Sequence, residues 1–329
     1  MDGRSSLRGP GVHANFRPGR SMPSERDSPT LSLLAPAKVN LFLEVLGKRP
    51  DGYHDLETLM VAVDLRDQLE FWPDESLTLT CDDPGLTCGP DNLVLKAAER
   101  LRQVANYRGG VRIRLEKRIP MQAGLGGGSS DAAATLKGLN RLWKLGLPDA
   151  ELARLGGEVG SDVAFFFSPG AAWCTGRGEK VEPVTMGRQL DFVLACPGVG
   201  LSTANVFRRV SVPAKPQSGE MLRRAVEHGD VEEIGRRLHN RLQEPAEALC
   251  PAVREAREKL QKAGPAGALM TGSGSAVFAV CRDRSDAIRV ARTMSAEVGA
   301  PSPDDGAEGH APAGPAGGRF TLHLVRSCP

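Results

Sequence analysis

Apolar and polar positions alternate along several short segments, which is the pattern of β-strands. The predicted strands are 31–46, interrupted at Pro36, and 77–80, 111–115, 192–196, 276–281 and 320–325. Elsewhere apolar residues recur every three or four positions, which favours amphipathic helices. The predicted helices are 91–107 with Asp91 as N-cap, one that follows the serines at 129 and 130, a short one over 149–160, and 219–228, 231–242, 251–263 and 285–298. Strands and helices do not alternate strictly, so we expect an α+β fold.

The most informative segment runs from Ile119 to Asp131, where glycines at 124, 126, 127 and 128 lead into Ser129 and Ser130. Glycine tolerates positive φ and close approach to a ligand, and serine is a favoured helix N-cap. The free N–H groups and the dipole at such a helix start attract anions, so we expect a phosphate ligand. No lysine follows Gly128 as in a Walker loop, and Ser129 replaces the third glycine of a dinucleotide fingerprint. A linker or a plain helix cap is the alternative.

Three further segments carry candidate chemistry. Lys38 and Asn40 lie two positions apart on a predicted strand and so share a face, although a solvent-exposed strand would show the same spacing. Asp162 leads directly into the apolar run 163–167, where a buried carboxylate needs a partner such as a lysine; a cap or turn aspartate is the alternative. Residues 270–278 form a second glycine/serine loop that enters a strand, and alone this pattern is more often a tight turn.

In this order, segments 36–40, 120–131 and 271–278 resemble the three motifs of the GHMP small-molecule kinases. The resemblance implies an N-terminal domain of ribosomal protein S5-like fold over 31–188 and a C-terminal domain of ferredoxin-like topology over 189–329. It also implies phosphoryl transfer from ATP, with the acceptor in the cleft between the domains. Mg²⁺ would be held mainly through the ATP phosphates, and no protein ligand for it is assigned.

The same resemblance implies roles for single residues. Lys38 and Asp162 are the expected catalytic pair, with Asp162 as general base, and Asn40 would help to fix the substrate. The expected ATP-binding residues are Asn92, Lys117, Pro120, Met121, Gln122, Ala123, Gly124, Leu125, Gly126, Gly127, Gly128, Ser129 and Ser130. Ala164 stands where the family usually has a proline, which leaves the carboxylate of Asp162 in place.

Residues 51–52, Asp-Gly, are a hairpin signal that would present Tyr53 and His54 at a turn; both could equally be ordinary surface residues. The segment resembles that of family members whose acceptor carries a cytidine diphosphate. By that resemblance Tyr53 would stack on the cytosine and His54 would hydrogen-bond it. Phe207 would cover the other face of the ring, with Thr203 as a nearby polar contact.

The composition of the chain limits the kinds of partner that we expect for it. The chain has 329 residues, a net charge of +2, 5% aromatic residues and seven scattered cysteines. These values favour a cytoplasmic enzyme with a small-molecule substrate over a nucleic-acid or membrane protein, and leave monomer and homodimer open. Residues 1–30 are a predicted disordered tail and 301–318 a predicted mobile loop. The alternatives are a GHMP kinase for homoserine, mevalonate or a sugar, and a non-catalytic nucleotide-binding regulator.

Overall fold

The computed structural model describes residues 28–298 and 320–329. The predicted loop at 301–318 and the predicted tail up to residue 27 lie outside the described residues. The strands are β1 (Leu31–Lys48), β2 (His54–Asp74), β3 (Leu77–Cys81), β4 (Gly110–Glu116), β5 (Ala171–Gly176), β6 (Lys180–Val184), β7 (Asp191–Pro197), β8 (His239–Asn240), β9 (Gly267–Met270), β10 (Val277–Cys281) and β11 (Phe320–Arg326).

Nine α-helices are present within this described part of the chain. They are α1 (Leu93–Val104), α2 (Gly127–Leu142), α3 (Asp149–Val159), α4 (Thr203–Phe207), α5 (Glu220–His228), α6 (Val231–Arg237), α7 (Gln243–Leu249), α8 (Pro251–Lys262) and α9 (Arg284–Val298), and a 3₁₀ turn spans Ala164–Phe167. The mixed content of helices and strands confirms the predicted α+β class. No helix in the two described ranges is long and apolar enough to cross a membrane.

The strands form two sheets. The first has the order β3-β4-β2-β1-β8, and β5 and β6 extend it from the part of β2 that β4 does not cover. The second has the order β11-β7-β10-β9. All strands of the first sheet come before residue 191 except the short β8, which pairs in parallel with β1. β8 therefore joins the second half of the chain to the first sheet, in addition to the packing of the two sheets against each other.

Three apolar clusters hold these layers together. Helices α1–α3 pack on the first sheet around residues such as Phe71, Leu101 and Leu136. A second cluster lies between the two sheets and contains Val39, Val61 and Phe278 among its buried members. A third covers the opposite face of the second sheet with α7–α9. The strand β1 contributes to all three clusters, so its central residues are buried whichever way their side chains point.

Several predicted boundaries need correction. Pro36 does not interrupt β1; it produces a shift in the register with β2 between Pro36 and Ala37. The cap of α1 is Asn92, whose Oδ1 accepts from the Val94 N–H at 2.9 Å, and not Asp91. The helix predicted over 231–242 ends at Arg237, because the chain then turns into β8 and a separate helix, α7.

A buried ion pair fastens β1 to β8. The carboxylate of Glu44, fully buried on β1, accepts two hydrogen bonds of 2.7 Å from Arg241. It also accepts backbone N–H groups of Val45 and Gln217, both at 2.9 Å, and lies 3.2 Å from the His239 Nε2. Burial alone would raise the pKa of Glu44, but these donors lower it to about 2.

We expect Glu44→Gln to lower the free energy of unfolding near neutral pH by about 3 kcal/mol, because losing one partner of a buried ion pair leaves the other uncompensated. The folded-state pKa is depressed, so the stabilisation is present above about pH 4.5 and is lost as the pH falls toward 2. Denaturant titrations from neutral to acidic pH should therefore show the two proteins converging.

The matched control is Glu182→Gln. Glu182 is 63% exposed and pairs with Arg223 at 2.6 Å. An exposed pair of this kind contributes at most about 1 kcal/mol. Equal losses in the two variants would contradict the assigned role of Glu44.

Candidate active site

The glycine-rich segment forms a loop that enters α2. Gly126 precedes the helix at φ 73° without a side-chain cap, and the helix begins at Gly127. The serine cap predicted from the sequence is therefore wrong: Ser129 and Ser130 lie inside the first turn, because glycine takes up the left-handed conformation before them. The first N–H groups of the helix have no intrahelical partner, and the buried Ser130 Oγ has no hydrogen-bond partner. This helix start is suited to an anion.

The glycine loop lies directly against the second glycine/serine loop. The Ala276 N–H donates to the Ala123 carbonyl at 3.1 Å, and the Thr271 Oγ1 lies 3.4 Å from the Gly124 carbonyl oxygen. Gly124 has φ 76°, and a Cβ built on it would stand 2.2 Å from the Thr271 carbonyl oxygen. Only glycine fits at 124, and the two loops therefore set each other's position.

Lys38 connects the strand β1 to this loop. Its ammonium donates to the Asn40 Oδ1 at 2.6 Å and to the Gly124 carbonyl at 2.8 Å, and lies 3.5 Å from the Asp162 Oδ2. The side chain is 3% exposed. Burial lowers the pKa of Lys38, and the charge of Asp162 raises it in partial compensation. Three oxygen atoms thus surround an ammonium that has three N–H donors.

Asn40 connects the surroundings of Lys38 to the loop that follows β9 of the second sheet. Its backbone N–H donates to the Thr271 Oγ1 at 3.0 Å, and its Nδ2 donates to the Thr58 Oγ1 at 2.8 Å. Asn240, which we did not single out in the sequence, donates to the Met270 carbonyl and to the Gly272 carbonyl, both at 2.8 Å. An isolated asparagine carries no sequence signal, and only the pairing of β8 with β1 brings Asn240 here.

Asp162 sits in the turn between α3 and the 3₁₀ turn. Its side chain is 33% exposed, so one side of the carboxylate is open to a ligand while the other faces Lys38. The buried Cys174 thiol is another neighbour that the sequence did not indicate; burial, and then the charge of Asp162, raise its pKa. The site therefore pairs an accessible carboxylate with a buried ammonium.

The predicted cytosine-binding residues come together only in part. His54 and Phe207 stack with ring centroids 5.1 Å apart, so the start of β2 meets α4 of the second half of the chain. Tyr53 is 52% exposed and lies under the guanidinium of Arg177, whose Cζ is 4.9 Å from the ring centroid. Thr203 shares a 2.9 Å hydrogen bond with Ser273 of the second loop. Burial lowers the pKa of His54, which favours its neutral form.

Two predicted nucleotide-binding residues have their side chains engaged within the protein. Asn92 caps α1 and donates its Nδ2 to the Thr87 carbonyl at 2.9 Å. The Lys117 ammonium is 5% exposed and pairs with Asp67 and Asp131. Lys117 nevertheless borders the glycine loop, since a Cβ on Gly127 would lie 3.2 Å from the Lys117 Nζ. The binding of the nucleotide by Asn92 and Lys117 stays a prediction.

Comparison with known proteins shows which protein family the chain matches. Residues 92–170 match the model of the GHMP kinases N terminal domain, and residues 222–300 match that of the GHMP kinases C terminal domain. A 4-diphosphocytidyl-2-C-methyl-D-erythritol kinase of Pelotomaculum thermopropionicum is 43% identical over 265 residues, which cover 79% of this chain and 92% of the relative.

Solved structures agree with the sequence matches. A crystal structure of 4-(cytidine 5'-diphospho)-2C-methyl-D-erythritol kinase superposes with a TM-score of 0.69 at 34% identity, covering 90% of this chain and 99% of that one. A homoserine kinase from Cytophaga hutchinsonii superposes with a TM-score of 0.67 at 17% identity, covering 94% and 97% of the two chains. At that identity the likeness is one of fold alone.

Proposed function

The chain belongs to the 4-diphosphocytidyl-2-C-methyl-D-erythritol kinases of the GHMP kinase family, and we propose that its phosphoryl transfer takes place between Asp162 and the Gly124–Ser130 loop. The enzyme uses ATP to phosphorylate the 2-hydroxyl of 4-diphosphocytidyl-2-C-methyl-D-erythritol, in the methylerythritol phosphate pathway of isoprenoid biosynthesis. Its fold is the two-domain α+β GHMP fold, with the domain boundary proposed near residue 188.

The position of Lys38 carries the proposed site. One ammonium lies within 3.5 Å of the Asp162 carboxylate and within 2.8 Å of the Gly124 carbonyl in the glycine loop. The group that would activate the acceptor and the loop that would hold the donor phosphates are thus joined through a single side chain. Phosphoryl transfer depends on such positioning and on charge stabilisation more than on covalent chemistry.

The proposed reaction needs few protein groups. The open side of Asp162 accepts the proton of the substrate 2-hydroxyl, whose oxygen bonds to the γ-phosphorus of ATP while ADP departs. Lys38 holds the Asp162 carboxylate in place through the ion pair at 3.5 Å. It also offsets the negative charge that develops between acceptor and phosphate. Asn40 fixes the direction of the ammonium through its 2.6 Å hydrogen bond.

The donor would bind at the start of α2. The free N–H groups of the first turn and the unpartnered Ser130 hydroxyl are suited to the phosphates, with the residues from Pro120 to Ser129 lining the approach. The described residues contain no cluster of three or more His, Cys, Asp or Glu side chains that could hold a metal. The proposed magnesium ion is held mainly through the ATP phosphates, where it would neutralise their charge.

The acceptor would bind between the turn at Tyr53 and α4. Tyr53 is half exposed and could stack on the cytosine, and His54 offers ring and backbone groups. Phe207 stacks on His54 from the other half of the chain, and Thr203 begins the helix α4 that ends at Phe207. All seven cysteines are free thiols in the structure, which supports our proposal that the enzyme works in the cytoplasm.

Substrate dependence tests the proposal directly. ADP formation from ATP and magnesium should require 4-diphosphocytidyl-2-C-methyl-D-erythritol and should be absent with homoserine, mevalonate or galactose. Turnover of one of the other acceptors would keep the kinase and discard the cytosine pocket. Nucleotide binding without turnover of any acceptor would instead favour a regulator.

Asp162→Asn tests the general base. We expect kcat to fall by about 10²–10⁴-fold, the usual contribution of such a group, because the amide cannot accept the hydroxyl proton. Binding of an ATP analogue, measured by calorimetry, should stay within a few-fold of wild type. Near-normal turnover would rule out the role assigned to Asp162.

Tyr53→Ala tests the cytosine contact. We expect mainly a raised KM for the cytidylyl substrate, since stacking on an aromatic ring contributes about 1–3 kcal/mol per base, or roughly 5- to 150-fold. Tyr53→Phe keeps the ring and is the matched control, for which KM should change little. If the alanine variant keeps the wild-type KM in steady-state assays, the cytosine binds elsewhere.

A further inference from the structure

A second buried lysine lies beneath the start of α2, in a cluster with two carboxylates. The Lys117 Nζ is 2.9 Å from the Asp131 Oδ2 and also donates to the Asp67 Oδ2. The three side chains are 5%, 2% and 0% exposed for Lys117, Asp131 and Asp67. Neither the catalytic step nor the acceptor pocket described above uses this cluster.

The cluster joins three elements of the nucleotide-binding half. Asp67 belongs to β2 and accepts the backbone N–H groups of Arg118 at 2.6 Å and Ile119 at 2.8 Å. Lys117 directly follows β4, and Asp131 lies in α2 just after the glycine loop. The ammonium sits under Gly127, where a Cβ would stand 3.2 Å from it. The cluster therefore fixes the distance between the first sheet and the start of α2, where we propose that phosphate binds.

The charges in the cluster are unequal. One ammonium faces two carboxylates, and the environments of the carboxylates differ. Asp67 receives two backbone N–H groups as well as Lys117, whereas the Asp131 Oδ1 has no partner. Lys117 and Asp67 are the charged groups that act on Asp131 within the described chain, and each comes from a different element. Burial raises the pKa of Asp131 to about 7, against the lowering effect of Lys117.

We propose that the Asp67–Lys117–Asp131 cluster positions the phosphate loop and that Asp131 takes up a proton when ATP binds. This inference rests on the proposed binding of ATP at Gly124–Ser130. The phosphates bring negative charge to the outer side of the first turn of α2, while Asp131 lies on its inner side. Like charges in a region of low dielectric disfavour each other, so the bound nucleotide favours the neutral carboxyl group. Lys117 is a positioning residue here, since its ammonium is already shared by the two carboxylates.

The proton uptake makes ATP affinity depend on pH with a definite sign. Because the nucleotide-bound form has the higher pKa at Asp131, affinity is greatest below the pKa of the free enzyme and falls as the pH rises through that of the complex. For a rise of about one pKa unit from about 7, the Kd should weaken about fourfold between pH 7 and 8.5, and about half a proton should be taken up near pH 7.5.

Calorimetric titration with a non-hydrolysable ATP analogue and magnesium tests this. Measured in buffers of different ionisation enthalpy, the wild-type protein should take up protons as stated. Asp131→Asn keeps an oxygen for Lys117 but cannot ionise, and should lose this uptake and the pH dependence of Kd. Protonation of the nucleotide itself is common to both proteins and cancels in the difference. Asp149→Asn, at the exposed start of α3, is the matched control and should behave as wild type.

The outcomes separate this inference from the proposed function. If the analogue does not bind the wild-type protein at all, the nucleotide site itself is wrong. If it binds without proton uptake at any pH between 6.5 and 8.5, or if Asp131→Asn retains the full uptake, only the role of Asp131 is overturned. If Asp131→Asn does not fold, the wild-type titration still overturns the inference when it shows no proton uptake at any pH between 6.5 and 8.5.

Discussion

A buried ammonium must find an oxygen for each of its three N–H groups, and at Lys38 this requirement organises the whole site. The oxygens come from Asn40 on the same strand, from Gly124 in the loop before α2, and from Asp162 after α3. Gly124 is 86 residues from Lys38 along the chain, and Asp162 comes from a third segment, the turn after α3. The Gly124 carbonyl can reach Lys38 only if residue 124 has no side chain, since the Thr271 carbonyl fills that space.

Lys38 and Lys117, the two lysines with buried side chains in the N-terminal half, differ in how far their carboxylate partners are exposed. Lys38 has one carboxylate partner, which is 33% exposed and so can reach a ligand. Lys117 has two carboxylate partners that are at most 2% exposed. Removal of any one of the three side chains would leave a buried charge uncompensated. The sequence around each lysine does not predict these partners, and only the family resemblance gave the two lysines different expected roles. Their partners come from elements whose packing only the fold determines.

The parts of the fold that the sequence predicted are those with local signals. The helices α1, α3, α5, α8 and α9 follow from apolar spacing, and the glycine-rich loop that enters α2 follows from the glycines before Ser129. The strand β2 was missed: it has 21 residues, and its centre is buried on both faces while Asp64 and Asp67 interrupt the apolar run. It is long because β1 pairs along one edge while β4 and β5 share the other. No local sequence pattern predicts which strands pair along β2.

The expected serine cap was wrong because a glycine in the left-handed conformation ends the loop about one turn earlier, so the free N–H groups of the helix start belong to residues before Ser130. The fold does not explain the choice of acceptor. A homoserine kinase has the same fold at 17% identity, so the fold by itself does not select the acceptor. The acceptor pocket that we propose lies outside the glycine loops, where His54 at the start of β2 stacks on Phe207 of α4. Because one ring comes from each half of the chain, this stack depends on the same packing between the sheets that brings Thr271 to Gly124 and so completes the surroundings of Lys38.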